Sequence, residues 1–329
     1  MKIILHNSFV RHEHHIKYKC DAAIKEIFKK IIQNLKWGSK VKIYKVDYKI
    51  PSFKEIKLDF TFSPTVLAPR LWVDIYINWK TDLNDKDLKN KLLYSKLNKY
   101  QAALFKFTGE YERQLQLALL ASNISFPGVA SYMGGLIKFA DVNYFSFNDW
   151  GNYLLEHVEE YRYLEWPKNI DVSFEQAWNW VYKIFSLNSD VSYSRVSRAL
   201  AAYSMIACGA EEQRSQLLLF WAMMGLEALY CEGSEGFRHQ IFEKSQVVLG
   251  PIKENKKISK KMYDIRSKYV HGAMDIPYVF SHNYESIGVD KFREEIYRAE
   301  SIAIKMLISS LQFMVLTNKD ELDFKYSLL

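Results

Sequence analysis

The sequence predicts an α+β N-terminal domain, residues 1–188, followed by an all-α helical bundle, residues 189–329. Three observations predict it. The first half mixes helix-spaced apolar residues with period-two alternation. From about residue 190 the pattern is helical throughout. The length, 329 residues, exceeds the roughly 100–200 that one core usually serves.

In chain order, Ile24, Ile27, Phe28, Ile31, Ile32 and Leu35 fall at helical spacing over 20–37, and Gly38 ends that helix. Alternating segments follow at 41–46, 57–62 and 71–79, rich in β-branched and aromatic residues and interrupted by Pro51 and Pro64. They read as half-buried strands. Residues 84–99 read as a loop or an exposed helix, 110–121 as a helix, and 122–150 carry no clear period. Residues 150–165 and 173–187 are helical in spacing. The boundary is placed at Ser186-Leu-Asn-Ser-Asp-Val, a polar stretch that suits a helix N-cap. Helices are then expected at 191–208, 212–231, 236–249, 256–271 and 291–317, with breaks at Gly209, Gly233, Gly250-Pro251 and Gly272. Short loops between such helices predict an up-down bundle.

Composition narrows the function classes. With 49% hydrophobic and 25% charged residues, the chain is neither disordered nor collagen-like. Cys20, Cys208 and Cys231 form no close pair, which argues against a disulfide framework or zinc ribbon and suits a reducing, cytoplasmic setting. The longest apolar run, Leu217 to Cys231, contains Glu227 and is too short for a bilayer span, so no membrane partner is expected. The apolar stretch at the N-terminus is too short for a secretory signal. The net charge of +7 is concentrated locally: residues 1–57 carry +9 and residues 253–268 carry +5. Such clusters attract polyanions, although Lys-rich segments are often only solvated faces.

The most informative segment is 256–272. Ile258, Met262, Ile265 and Tyr269 make a buried stripe, and Lys256, Lys257, Lys260 and Lys261 lie opposite it as candidate RNA contacts. His271 projects into the lysine sector, Arg266 flanks the stripe on the other side, and Gly272 stands where a helix C′ glycine belongs. The helix dipole favours positive charge at His271. An Arg can stabilise a pentacovalent phosphate and a His can move a proton, which suffices for metal-free RNA cleavage. The pattern alone is common: 11 Arg and 8 His in 329 residues yield about 0.8 matches by chance. The plainer reading is an Arg paired with Asp264 or a helix end, and a capping His.

Together with Arg198-Ala-Leu and the Leu218–Leu229 run containing Leu226-Glu227-Ala-Leu, this segment resembles an Apea-like HEPN domain, a helical bundle of the HEPN ribonuclease superfamily. The resemblance covers about the C-terminal 140 residues, and makes the expected bundle HEPN-type. It implies a metal-independent endoribonuclease acting on RNA, tRNA among the candidates, in anti-phage defence, abortive infection or toxin–antitoxin systems. It implies a homodimer whose composite site combines Arg266 and His271 of both chains, with 2′,3′-cyclic phosphate and 5′-hydroxyl products. Arg266 would stabilise the phosphorane and His271 transfer protons. Ser267, Lys268, Tyr269, Glu227 and Arg238 would support them, with Glu227 pairing with Arg238 or orienting Arg266. Glu227 reads first as a buried ion pair that only holds the bundle. No metal or cofactor is called for; an antitoxin or a phage-derived trigger would be a partner. The alternative is a non-catalytic HEPN module that binds RNA, a nucleotide or a protein.

Other clusters carry less. His12-Glu13-His14-His15, with His6, resembles a metal cluster but lacks a second ligand group. Trp150, Trp166, Trp178 and Trp180, with Tyr153, Tyr161 and Tyr163, could stack bases, but read first as packing near the domain junction. Gly128, Gly134 and Gly135 form no phosphate loop.

Overall fold

Strand β1 (Lys2–Val10) lies at the centre of a five-stranded antiparallel sheet with β2 (Val41–Lys49), β3 (Arg70–Trp79), β4 (Ser131–Phe139) and β5 (Val142–Phe147), in the order β2-β3-β1-β4-β5. The protein is seen in a computed structural model that describes residues 2–10, 17–34, 41–50, 70–79, 99–128, 131–139, 142–147, 164–168, 170–187, 191–208, 216–233, 235–252, 256–275 and 287–324. The chain forms two compact units, residues 1–123 with 129–152, and residues 124–128 with 153–329.

In the first unit, alternation decides which side of the sheet is buried. Leu5, Asn7 and Phe9 of β1 and Leu71, Val73, Ile75 and Ile77 of β3 are buried, as are Ile24, Ile27, Phe28 and Ile31 of helix α1 (Lys17–Asn34). Phe9 meets Phe28 edge-on at 5.6 Å and Tyr132 at 5.3 Å. Helix α2 (Lys99–Ser125) adds Phe107, Tyr111 and Leu115 to the core. Asn7 ties these layers together. Its amide donates to the carbonyls of Leu5 and Val73, at 3.3 and 3.1 Å. Its oxygen accepts from the hydroxyls of Tyr111 and Tyr132, at 2.6 and 3.3 Å. The β1–β4 register slips beside it, between Asn7 and Phe9, and Gly134 at φ 101° takes up the bulge. Gly134 and Gly135 therefore serve the strand.

The second unit holds α3 (Phe174–Leu187), α4 (Arg195–Ala207), α5 (Gln216–Tyr230), α6 (Phe237–Leu249), α7 (Lys256–Val270) and α8 (Ile287–Thr317). The expected order, α+β then helical, is present. The second unit also takes α3, which lies ahead of the sequence-based boundary at 188. Trp178, Trp180, Val181 and Ile184 of α3 are buried, and the Trp180 indole donates to the Lys319 carbonyl at 2.7 Å, anchoring α3 beyond the end of α8. The Trp166 indole donates to Gly250 at 2.8 Å within the same unit. These tryptophans are packing residues.

Helix α8 is the core of this unit, against α3, α4, α5, α6 and α7. By length and composition Asp290–Thr317 could cross a membrane, but 89% of its apolar window is buried inside the protein. Burial on every side explains why its apolar residues are not confined to one stripe. The α5–α8 crossing is tight at Gly225: a Cβ there would stand 2.8 Å from the Leu307 methyls. Capping follows local chemistry. Ser194 caps α4 through Ser197, and Ser173 with Gln176 forms a capping box on α3.

The expected strand at 57–62, most of the segments at 84–99 and 150–165, His12–His15, and Trp150, Tyr153, Tyr161 and Tyr163 lie outside the described residues. So do the side chains of Cys20, Lys256, Lys257 and Lys260.

Candidate functional site

Helix α7 turns one face inward because Met262 and Ile265 are apolar at i and i+3; they are 2% and 6% exposed. The helix then stops at His271-Gly272. Gly272 N–H donates to Tyr269 and Ala273 N–H to Lys268, at 3.2 and 2.8 Å, with Gly272 at φ 65°. This is a complete Schellman motif, as the position of Gly272 predicts. It makes His271 the C-cap residue and leaves its side chain exposed.

Arg266 sits about 7.5 Å back along the same helix. Its Nη2 donates to Glu227 Oε2 of α5 at 3.1 Å, with only 18% and 16% of the two side chains exposed. Phe220 of α5 places its ring 6.0 Å from the guanidinium carbon. Leu219, Phe220, Ile265, Arg266, Tyr269 and Ile296 line a recess between α5, α7 and α8. The pair uses one prong of the guanidinium fork. Arg266 Nε and Glu227 Oε1 are buried without a hydrogen-bond partner. Burial pushes the Glu227 carboxyl above its usual range, and the positive charge of Arg266 only partly offsets this.

The remaining predicted residues divide. Glu227 pairs with Arg266 and not with Arg238, whose Nη1 reaches Asp264 Oδ1 at 3.3 Å on the exposed surface. Asp264 is thus taken by Arg238, and the plainer pairing of Arg266 with Asp264 does not form. Ser267 and Tyr269 are half-buried, Lys268 is exposed, and Lys261 is bound to Glu295 of α8 at 2.9 Å. Arg198 is exposed and donates to the Tyr193 carbonyl, at 3.4 Å.

Sequence reasoning missed Arg195. Its guanidinium donates to the carbonyls of Ala228, Leu229 and Cys231 at 3.1, 3.0 and 3.0 Å, closing the C-terminus of α5 just beyond Glu227. It also binds Glu232 at 3.0 Å, and this hydrogen bond, with the charge of Lys244, holds the Glu232 carboxyl below its usual range. A cation beside a long apolar helix was the available signal. Burial pushes the Cys231 thiol up to about 12, so it is no thiolate nucleophile at neutral pH. Among the described residues no three His, Cys, Asp or Glu side chains could hold a metal together.

The arrangement offers an oriented guanidinium at a recess and an accessible imidazole a turn and a half further along the same helix. Comparison with protein-family models, curated proteins and solved structures finds no match to this chain.

Proposed function

We propose that the protein is a HEPN-type, metal-independent endoribonuclease using Arg266 and His271, in which 2′-OH attack on the adjacent phosphate yields a 2′,3′-cyclic phosphate. The observation that carries this reading is the treatment of the two side chains. Glu227 and Phe220 hold Arg266 beside a recess between α5, α7 and α8, while the Schellman turn presents His271 to solvent. A preorganised guanidinium suits a developing phosphorane, and an exposed imidazole suits proton transfer. Their separation along one helix is wide for a single compact site. A homodimer that brings two such helices together would supply a second Arg and His.

The test is cleavage of total tRNA in EDTA by wild type and His271→Ala. Expected is cleavage that needs no Mg²⁺, leaves cyclic phosphate ends and falls at least 100-fold in the variant. His271 is exposed, so the variant should melt with the wild type, and the loss then reads chemistry and not folding. Cleavage that persists in the variant or requires Mg²⁺ overturns the reading. The ion pair itself favours a second reading, a non-catalytic HEPN module, because Glu227 ties Arg266 into the bundle. RNA binding without cleavage by either protein would select it.

A further inference from the structure

Helix α5 is apolar almost throughout, yet one side of it is left open. Leu217, Phe220, Trp221, Met224, Ala228 and Cys231 recur at three- and four-residue spacing. They fall within one sector about 100° wide. Cys231 continues the stripe because its N–H still donates to the Glu227 carbonyl, at 2.9 Å. Met224, at the centre, is 38% exposed, and the other five are half-buried. On the opposite side Leu218, Ala222, Leu226 and Leu229 are at most 1% exposed. Among the described residues α4, α6, α7 and α8 pack against α5 and account for that buried side. A helix that is apolar all round is ordinarily enclosed all round, so a continuous apolar sector left open is a contact face. The sector carries no charge of its own. Glu227 stands at its edge, already paired with Arg266.

We propose that this sector docks against the same sector of a second copy of the chain, antiparallel, about a two-fold axis at Met224. The sizes along the stripe select that occupant. Phe220 and Trp221, before Met224, are bulky and meet each other edge-on at 5.3 Å. Ala228 and Cys231, after it, are small. An antiparallel copy sets the bulky half of each stripe against the small half of the other, with Trp221 beside the partner's Ala228. A parallel copy would set bulk against bulk. The stripe is also symmetric in position about 224, running from 217 to 231, so two antiparallel stripes coincide along their whole length. Charge agrees with this. The Glu227–Arg266 pair leaves the edge neutral, so two copies meet without repulsion. A nucleic acid or a charged peptide would find no ionic partner along the stripe. Phe220 belongs both to this face and to the lining of the Arg266 recess, so the docked copy brings the partner's Arg266 to the same interface. The inference goes beyond the ribonuclease reading by naming the surface, and rests on that reading only for the expectation of a two-chain site.

The test is sedimentation of the full chain at micromolar concentration. Expected is a dimer for the wild type and a monomer for Met224→Lys. The dimer dissociation constant should rise at least about 100-fold in the variant, because two ammonium groups would meet at the axis. Met224 is exposed, so the variant should melt with the wild type. A second variant, Met224→Cys, should be joined to its partner copy by a short bismaleimide, while the wild type with its native cysteines stays unjoined. A monomeric wild type, a Met224→Lys variant that still dimerises, or no coupling at position 224 each overturns the proposal. A wild type that dimerises through this face and leaves tRNA uncut refutes the ribonuclease reading alone. A monomer that cleaves tRNA in EDTA refutes this interface alone.

Discussion

Asn7 in the sheet unit and the Arg266–Glu227 pair in the helical unit are both buried polar centres, and they are built on opposite terms. Asn7 is neutral, fully enclosed and saturated: both its amide hydrogens and its oxygen are committed to three strands and a helix. Arg266 and Glu227 are charged, retain some exposure, and leave one N–H and one carboxylate oxygen unspent. A saturated neutral hub has nothing left to offer a ligand and reads as architecture. A half-satisfied charged pair carries a desolvation cost that the saturated neutral hub avoids.

The largest loss is expected at Asn7. Asn7→Ala would strand the Tyr111 and Tyr132 hydroxyls in the core and should cost about 3–5 kcal/mol, read as a fall in the denaturant midpoint of the sheet unit. A cost under about 1 kcal/mol would remove Asn7 from the architecture. Arg195→Ala comes next. It reopens three carbonyls at the end of α5 and should cost about 2 kcal/mol in thermal unfolding, a purely structural loss from an arginine on the same helix bundle as Arg266.

Glu227→Gln has the smallest expected effect on stability, about 1–2 kcal/mol, because the amide still accepts from Arg266. Its signature is the pH dependence. The folded carboxyl titrates above the unfolded one, so the native state binds more protons between the two. Glu227 therefore makes stability fall as pH rises from the ordinary carboxylate range through the raised folded value. Denaturant titrations at several pH values should show that slope in the wild type and lose it in the variant. An unchanged slope would remove Glu227 as its source.

Much of the fold was legible because period and punctuation are local. The five C-terminal helices are where their apolar spacing puts them, and the last turn of α7 ends at Gly272 as its position requires. The β4–β5 hairpin was not legible, since two glycines and a bulge disrupt the alternation that announces a strand. Nor was the first strand, whose buried side includes a polar residue, Asn7. The membership of α3 was obscured because its tryptophans signal burial without naming the partner surface.

By itself the sequence determined the run of five C-terminal helices, the inward face of α7 at Met262 and Ile265, and the glycine stop that presents His271. These follow from backbone propensity and side-chain chemistry over a few residues. Only the tertiary structure decided which partner each charge would take. Glu227 went to Arg266 and not Arg238, Asp264 went to Arg238, Lys261 went to Glu295, and Arg195 went to the end of α5. Those choices depend on how helices distant in sequence are packed, and electrostatic partners are selected by distances that only packing sets.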